Sequence, residues 1–169
     1  MNYQEWKEQV PIEMKGDPLW KVEMFRLALL MADLSWPDAT KLLQDKRTLD
    51  LSSQLLRAVG SISANFAEGY SRGTGKDRAR FYGYSLGSAR ESRVWYYQGR
   101  HVLTLPVAIH RIKLLTQIIR YLLTTIPEQR GQTLREEPAM YQLSDDTFLN
   151  DVADSTDLDQ LLQNIPDTD

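Results

Sequence analysis

The chain has 169 residues, of which 42% are hydrophobic and 25% charged, and it contains no cysteine. This length and composition are typical of one globular domain with a sizeable core, and the lack of cysteine excludes a disulfide framework, thiol catalysis and thiolate metal sites. The sequence has no apolar run long enough to span a membrane, and acids near the start exclude a typical signal peptide. We therefore expect a cytoplasmic protein with no membrane partner.

The net charge of −3 conceals opposite charges in two parts of the chain. Residues 1–135 contain all 20 lysines and arginines against 13 acids, whereas residues 136–169 contain 10 acids and no base. Within residues 57–120 the basic residues face only three acids, Glu68, Asp77 and Glu91. A basic body favours a nucleic-acid partner, and the acidic tail is expected to compete with that partner or to dock on a protein.

The first predicted helix begins at Asp17-Pro18, where an N-cap residue precedes a proline in the first turn. Its apolar residues cover a wide face, and Pro37 is expected to stop it near Trp36. Residues 1–16 are left as an N-terminal arm.

The second predicted helix begins at Thr48 and ends at Gly69, a typical terminating residue. One apolar stripe follows the helical period, and it consists of Leu51, Leu55, Val59, Ile62 and Phe66.

The third predicted helix covers residues 76–103 and separates two kinds of side chain at about 100° per residue. Its small and aromatic side is expected to face inward and includes Phe81, Tyr84, Ser85, Ser88, Ala89, Ser92, Trp95, Tyr96 and Gly99. The opposite stripe contains Lys76, Arg90, Arg93, Tyr97 and Arg100, with only Leu86 interrupting it. Glycines at 83, 87 and 99 cost helix stability, which favours close approach of another helix.

The fourth predicted helix, residues 106–125, has apolar residues spaced three and four apart, as in the seam of a bundle. These elements predict an all-α fold, an antiparallel up-down four-helix bundle over residues 17–127. Residues 128–169 are expected to form a flexible, acidic, largely disordered tail. A short apolar stripe in it predicts a helix at 156–165, which either docks on a partner or forms only transiently.

The arginine stripe of the third helix has two interpretations. A solvated helix face is the common one, but such faces usually mix charges, and this stripe contains no acid. Arginine binds phosphate in a bidentate manner, and a tyrosine among arginines offers a surface for base stacking. The predicted nucleic-acid-binding residues are Arg57, Arg72, Lys76, Arg78, Arg80, Arg90, Arg93, Tyr97 and Arg100.

No catalytic, cofactor or metal site is predicted. The segment Ser71–Asp77 is rich in glycine, but it lacks the spacing, the hydroxyl residue and the preceding strand of a phosphate-binding loop. The two histidines, His101 and His110, flank a proline with no acid between them, so surface or interface positions are expected instead of a metal site. Glu68 is expected to balance an arginine.

The second and third helices resemble those of a bacterial four-helix-bundle family. The family contains proteins encoded in 23S rRNA intervening sequences and the accessory variability protein (Avd) of diversity-generating retroelements. The matching elements are Arg57-Ala58, Ser61-Ile62, Asn65-Phe66-Ala67-Glu68-Gly69, Phe81-Tyr82 and Gly87-Ser88-Ala89-Arg90-Glu91. The resemblance covers about residues 17–126. It departs at Phe66, where the family commonly has Ile or Val, and it does not extend to the acidic tail.

The resemblance implies a bundle that assembles as a homopentamer and, in the retroelement branch, binds nucleic acid and a reverse transcriptase. The expected function is therefore a non-enzymatic accessory protein that holds RNA or cDNA on a basic face. Two alternatives stay open: a ribosome-associated intervening-sequence protein, and a structural oligomer whose arginines pair between subunits and whose acidic tail docks on a protein.

Overall fold

The computed structural model describes residues 2–131 and 155–168, and this part of the chain is helical, with no strand in it. A short 3-10 helix, Pro18–Lys21, precedes the first long helix. The α-helices are α1 (Tyr3–Gln9), α2 (Ile12–Lys15), α3 (Glu23–Leu43), α4 (Leu49–Tyr70), α5 (Gly75–Gly99), α6 (Leu105–Arg130) and α7 (Ser155–Gln163).

The four long helices, α3 to α6, form an antiparallel bundle, and the predicted all-α fold is confirmed. Short connections join consecutive helices, so each returns alongside the one before it. Two serines join neighbouring helices: the Ser52 hydroxyl donates to the Ala39 carbonyl at 3.0 Å, and Ser85 donates to Ile62 at 2.8 Å. Both serines are buried, and each satisfies its hydroxyl on the backbone of the adjacent helix.

The bundle core consists mainly of aliphatic side chains from α3, α4 and α6, and α5 adds small residues together with the buried tyrosines Tyr82 and Tyr96. Burying a leucine or isoleucine completely contributes about 1.5–3 kcal/mol, and many core residues are fully buried. They include Leu27, Leu30, Leu55, Val59, Ile62, Leu114, Leu115, Ile118, Ile119 and Leu122. Four of the five predicted stripe residues of α4 are buried, and the fifth, Leu51, packs against the edge of the core.

The prediction that Pro37 ends the first helix is wrong, because α3 continues through it to Leu43. A proline inside a helix removes one backbone hydrogen bond and costs about 3 kcal/mol or more. Pro37 itself lies on the exposed face, whereas Ala39 and Leu42 beyond it are buried in the bundle. Their packing offsets the cost of the proline. Local sequence signals alone do not reveal this packing.

The segment before the bundle packs onto it through α1. A capping box between Asn2 and Glu5 starts this helix. Trp6 is 3% exposed, and its Nε1–H donates to the Asp33 carboxylate at 2.6 Å. Residues near the N-terminus therefore contribute to the same hydrophobic core as the four long helices.

The predicted inner face of α5 is partly wrong. Tyr84, expected inside, is 54% exposed, whereas Leu86, expected outside, is only 8% exposed. A Cβ added at Gly83 or Gly87 meets no atom within 4 Å, so these glycines serve no close contact within the described part of the chain. By contrast, a Cβ added at Gly99 would lie 3.2 Å from the Leu42 side chain, so this glycine does lie close to a neighbouring helix.

Helix α7 packs on α6 of its own chain, and the residues after it continue along the bundle to Thr168. Helix α6 ends at Arg130, with Gly131 in the left-handed conformation at φ 65°. The largely disordered tail is predicted over residues 128–169, with a short helix at 156–165. Residues 128–130 belong to α6, and α7 covers most of the predicted short helix. The part of this prediction that falls on residues 132–154 lies outside the described residues.

Candidate nucleic-acid interface

The predicted binding residues lie on α4, on the α4–α5 connection and along α5. Most are exposed, and Arg78, Arg93 and Arg100 are half-buried. Helix α5 carries seven of the nine, from one end of the helix to its C-cap, namely Lys76, Arg78, Arg80, Arg90, Arg93, Tyr97 and Arg100.

At the C-terminal end of α5, Arg100 and Tyr97 form one unit. The Arg100 guanidinium lies 3.9 Å from the centre of the Tyr97 ring, and it donates a hydrogen bond to the Tyr97 carbonyl at 2.6 Å. Tyr97 remains 58% exposed. An exposed ring beside a fixed cation combines a stacking surface with a phosphate-binding group.

A second aromatic–arginine cluster lies where α4 meets α5. The Phe81 ring contacts two guanidinium groups, that of Arg72 at 4.5 Å and that of Arg80 at 5.2 Å. Arg72 also pairs with Glu68, which confirms that this glutamate balances an arginine. Arg80 lies 4.0 Å from Asp77. These two arginines are held by neighbours in the chain, and surface pairs of this kind contribute little to stability.

An open cleft of about 510 Å³ lies between the start of α5 and the end of α6. Its lining residues are Lys76, Asp77, Arg80, Gln129 and Arg130, three cations and one acid. Sequence reasoning missed Arg130 because the residues after Pro127 lack apolar periodicity, whereas α6 continues through Pro127 for three residues.

Arg78 is less suited to binding than its place among the predicted binding residues suggests. Its side chain is half-buried, and its Nε atom is buried without a hydrogen-bond partner in the described residues. It lies near Tyr82, a core residue whose pKa is raised by burial.

Arg111 belongs to the basic segment of the sequence, but it contributes nothing to the exposed surface. It is 1% exposed and pairs with the fully buried Asp38 at 2.9 Å. The Tyr96 hydroxyl donates to the same carboxylate at 2.8 Å, and burial raises the pKa of Tyr96 well above its usual value. These residues form a satisfied polar network inside the bundle.

The expectation of a surface or interface position fits His101, but His110 is buried within its own chain. Its Nδ1 lies 3.0 Å from the Arg111 guanidinium, which can only donate, so Nδ1 accepts and Nε2 carries the proton. Burial lowers the pKa of His110 to about 4. The sequence did not reveal this burial, because the residues that cover His110 come from the far end of the chain.

Nothing in the described ranges, 2–131 and 155–168, groups three or more potential metal ligands. The same ranges contain no helix that is long and apolar enough to cross a membrane.

Fold and surface together define a small helical-bundle protein with a cationic face that carries exposed aromatic rings. Residues 21–125 match the family model of the 23S rRNA-intervening sequence protein, and the chain belongs to this family. The resemblance seen in the second and third helices is thereby confirmed. Proteins of this family are not known as enzymes.

A crystal structure of a protein of unknown function from the S23 ribosomal protein family of Bacteroides thetaiotaomicron has a similar fold. The two chains share 21% identity with a TM-score of 0.57, over 61% of this chain and 97% of the other. This similarity supports the bundle fold alone. None of the curated proteins matches the sequence.

Proposed function

We propose that this protein is a non-enzymatic accessory protein of a diversity-generating retroelement, which binds RNA or cDNA on the exposed face of α5 and acts with a reverse transcriptase. The observation that carries the proposal is the unit of Tyr97 and Arg100, an exposed ring with a guanidinium fixed beside it. Lys76, Arg90 and Arg93 extend the positive surface along the same helix. The family description, which refers to ribosomal RNA, agrees with an RNA partner.

Salt dependence tests the electrostatic part of the proposal. Each phosphate contact releases counterions, so the logarithm of the binding constant should fall against the logarithm of salt concentration with a slope of about −0.7 per contact on single strands. Fluorescence anisotropy with labelled single-stranded RNA and DNA measures this slope. Binding that does not change with salt would contradict the proposal.

A charge reversal on α5 tests the location of the interface. Arg90→Glu with Arg93→Glu should weaken binding strongly and reduce the slope. The matched control, Lys41→Glu with Lys46→Glu, changes the net charge equally in the last turn of α3 and in the α3–α4 connection. Equal losses in both variants would indicate a general charge effect and would exclude this face as the site. Circular dichroism confirms that both variants fold.

A structural oligomer is the second candidate, and the outer face of α5 favours it by a separate observation. Tyr84, Val94 and Tyr97 are at least half exposed there, and Gly83 and Gly87 present backbone with no side chain over it. Aromatic residues and close backbone approach are common in subunit interfaces. If Arg90 and Arg93 pair between subunits, the charge reversal at these two positions should dissociate the oligomer, as measured by light scattering, before it changes the affinity for nucleic acid. A homopentamer is the state that the family resemblance implies.

The ribosome-associated alternative shares the RNA-binding surface but needs no polymerase. Affinity purification of the full chain from its native cells distinguishes the two. Recovery of a reverse transcriptase supports the proposed function, whereas recovery of ribosomal subunits without one supports the alternative.

A further inference from the structure

The end of the chain is docked on the bundle above a buried histidine. Leu161 and Leu162 of α7 are 8% and 7% exposed, so packing against the bundle covers both almost completely. Beneath them on α6, His110 is 5% exposed, and its Nε2 proton is donated to the Leu161 carbonyl at 2.8 Å. The segment of residues 158–168 therefore separates this histidine from water.

The last residues of the same segment bind the buried ion pair beside His110. Arg111 Nη2 donates to the Pro166 carbonyl at 3.3 Å, and the Thr168 hydroxyl donates to Asp38 Oδ1 at 2.6 Å. Together with the contact to Leu161, these hydrogen bonds join the segment to adjacent residues of α6 and to their partner on α3. A change at His110 thus acts on the whole contact between the segment and the bundle.

The docked arrangement accepts only a neutral imidazole. Nδ1 of His110 lies 3.0 Å from Arg111 Nη1, and a guanidinium nitrogen can only donate. A proton added at Nδ1 would therefore point at a cation. Arg111 is held in place, because its Nε and Nη2 donate to Asp38 and its Nη2 also donates to Pro166. A charged His110 needs water instead, and the docked segment excludes it.

The charges around the ring also oppose the added proton. Arg111 and Lys113 on α6 disfavour a charged His110, and Asp38 on α3 favours it. That carboxylate already accepts hydrogen bonds from Arg111, from Thr168 and from Tyr96 on α5. The acids that the covering segment contributes, Asp159 and Asp167, are exposed. Desolvation by burial is the main cause that lowers the pKa of His110 to about 4.

We propose that residues 158–168 form a pH-sensitive latch, which is docked on α6 while His110 is neutral and is released from the bundle when His110 gains a proton. The proton enters at Nδ1, the contact with Arg111 is lost, and the charged ring becomes hydrated where the segment has left. With a pKa of about 4 when docked and an ordinary 6.5 when released, the released state binds more protons between these values. Docking is therefore complete above pH 6.5 and weakens as the pH falls towards 4.

Hydrogen exchange of the full chain, corrected for intrinsic exchange rates, measures the opening of the segment. The protection factors of the α7 amides should fall about 30-fold from about pH 7.5 to about pH 5, as the two pKa values of His110 require. At both pH values α7 should exchange faster than α4, because release does not unfold the bundle. Equal protection of α7 and α4, or an unprotected α7 at about pH 7.5, would overturn the proposal.

Two glutamine variants identify the group that titrates. His110→Gln keeps an acceptor for Arg111 and a donor for the Leu161 carbonyl but does not titrate, so the fall in α7 protection should disappear. His101→Gln, at the exposed second histidine, should retain the fall of about 30-fold. In the unsubstituted chain, NMR titration of the His110 ring should coincide with the shift changes of residues 158–168. An undiminished fall in His110→Gln, or separate midpoints in the NMR titration, would refute the latch. Since no nucleic acid is present, the result is independent of the proposed function.

Discussion

Removing the carboxylate of Asp38 should destabilise the bundle more than any other single polar change. Asp38 is fully buried and accepts hydrogen bonds from Tyr96, Arg111 and Thr168. Asp38→Ala leaves the Arg111 guanidinium, 1% exposed, without its counter-charge. Breaking a buried pair in this way costs about 3–5 kcal/mol, a large share of the roughly 5–15 kcal/mol that a typical domain has.

Urea unfolding followed by far-UV circular dichroism measures this loss. The double variant Asp38→Ala with Arg111→Met removes both charges, so it should lose less stability than the two single variants added together, with a coupling of about 0.5–3 kcal/mol. Thr168→Val removes one hydrogen bond and should cost about 1 kcal/mol. Two results would refute the view that this pair is buried and mutually dependent. One is that the losses in the free energy of unfolding of the two single variants add up to that of the double variant. The other is a loss below about 1 kcal/mol for Asp38→Ala.

Three further predictions concern glycines and a histidine. Gly60→Ala and Gly87→Ala should each raise the free energy of unfolding by up to about 1 kcal/mol, because neither new Cβ meets an atom within 4 Å; a loss in urea unfolding would contradict this. Gly69→Ala should instead destabilise by about 1–3 kcal/mol, since its Cβ would lie 2.8 Å from the Tyr82 ring, and a gain in the same assay would contradict the packing. The pKa of His110 is about 4 in the folded state and 6.5 in the unfolded state. The unfolded state therefore binds more protons between these pH values. The contribution of His110 to stability should be complete above pH 6.5, and the free energy of unfolding should fall by up to about 3 kcal/mol towards pH 4. His110→Gln should remove this part of the pH dependence, and an unchanged pH profile in this variant would contradict the prediction.

The helical periods predicted the bundle because apolar stripes that recur every three or four residues must be buried against other helices. Leu55, Val59 and Ile62 lie in the core as their spacing indicates. Helix α5 was harder to orient, since its buried residues include small and polar ones such as Ser85 and Ser92. With so little contrast between its faces, the sequence placed Tyr84 on the wrong side.

The candidate interface could be predicted in outline but not in detail. The excess of base over acid along α5 is a property of composition, and the exposed positions of Lys76, Arg90 and Tyr97 agree with it. Which cations are available depends on partners distant in sequence. Arg111 is neutralised by Asp38, and Arg130 reaches the cleft at the start of α5 only because α6 continues past Pro127.

By itself, the sequence determined the all-helical class, the four long helices, the family and the separation of a basic body from an acidic tail. Each of these depends on local periodicity, motif or composition. Only the tertiary structure decided that Pro37 lies inside a helix, that His110 and Arg111 are buried, and that Thr168 completes their network. The reason is physical: Asp38 and Thr168 are 130 residues apart, and no pattern along the chain encodes a contact that exists only when the bundle has formed.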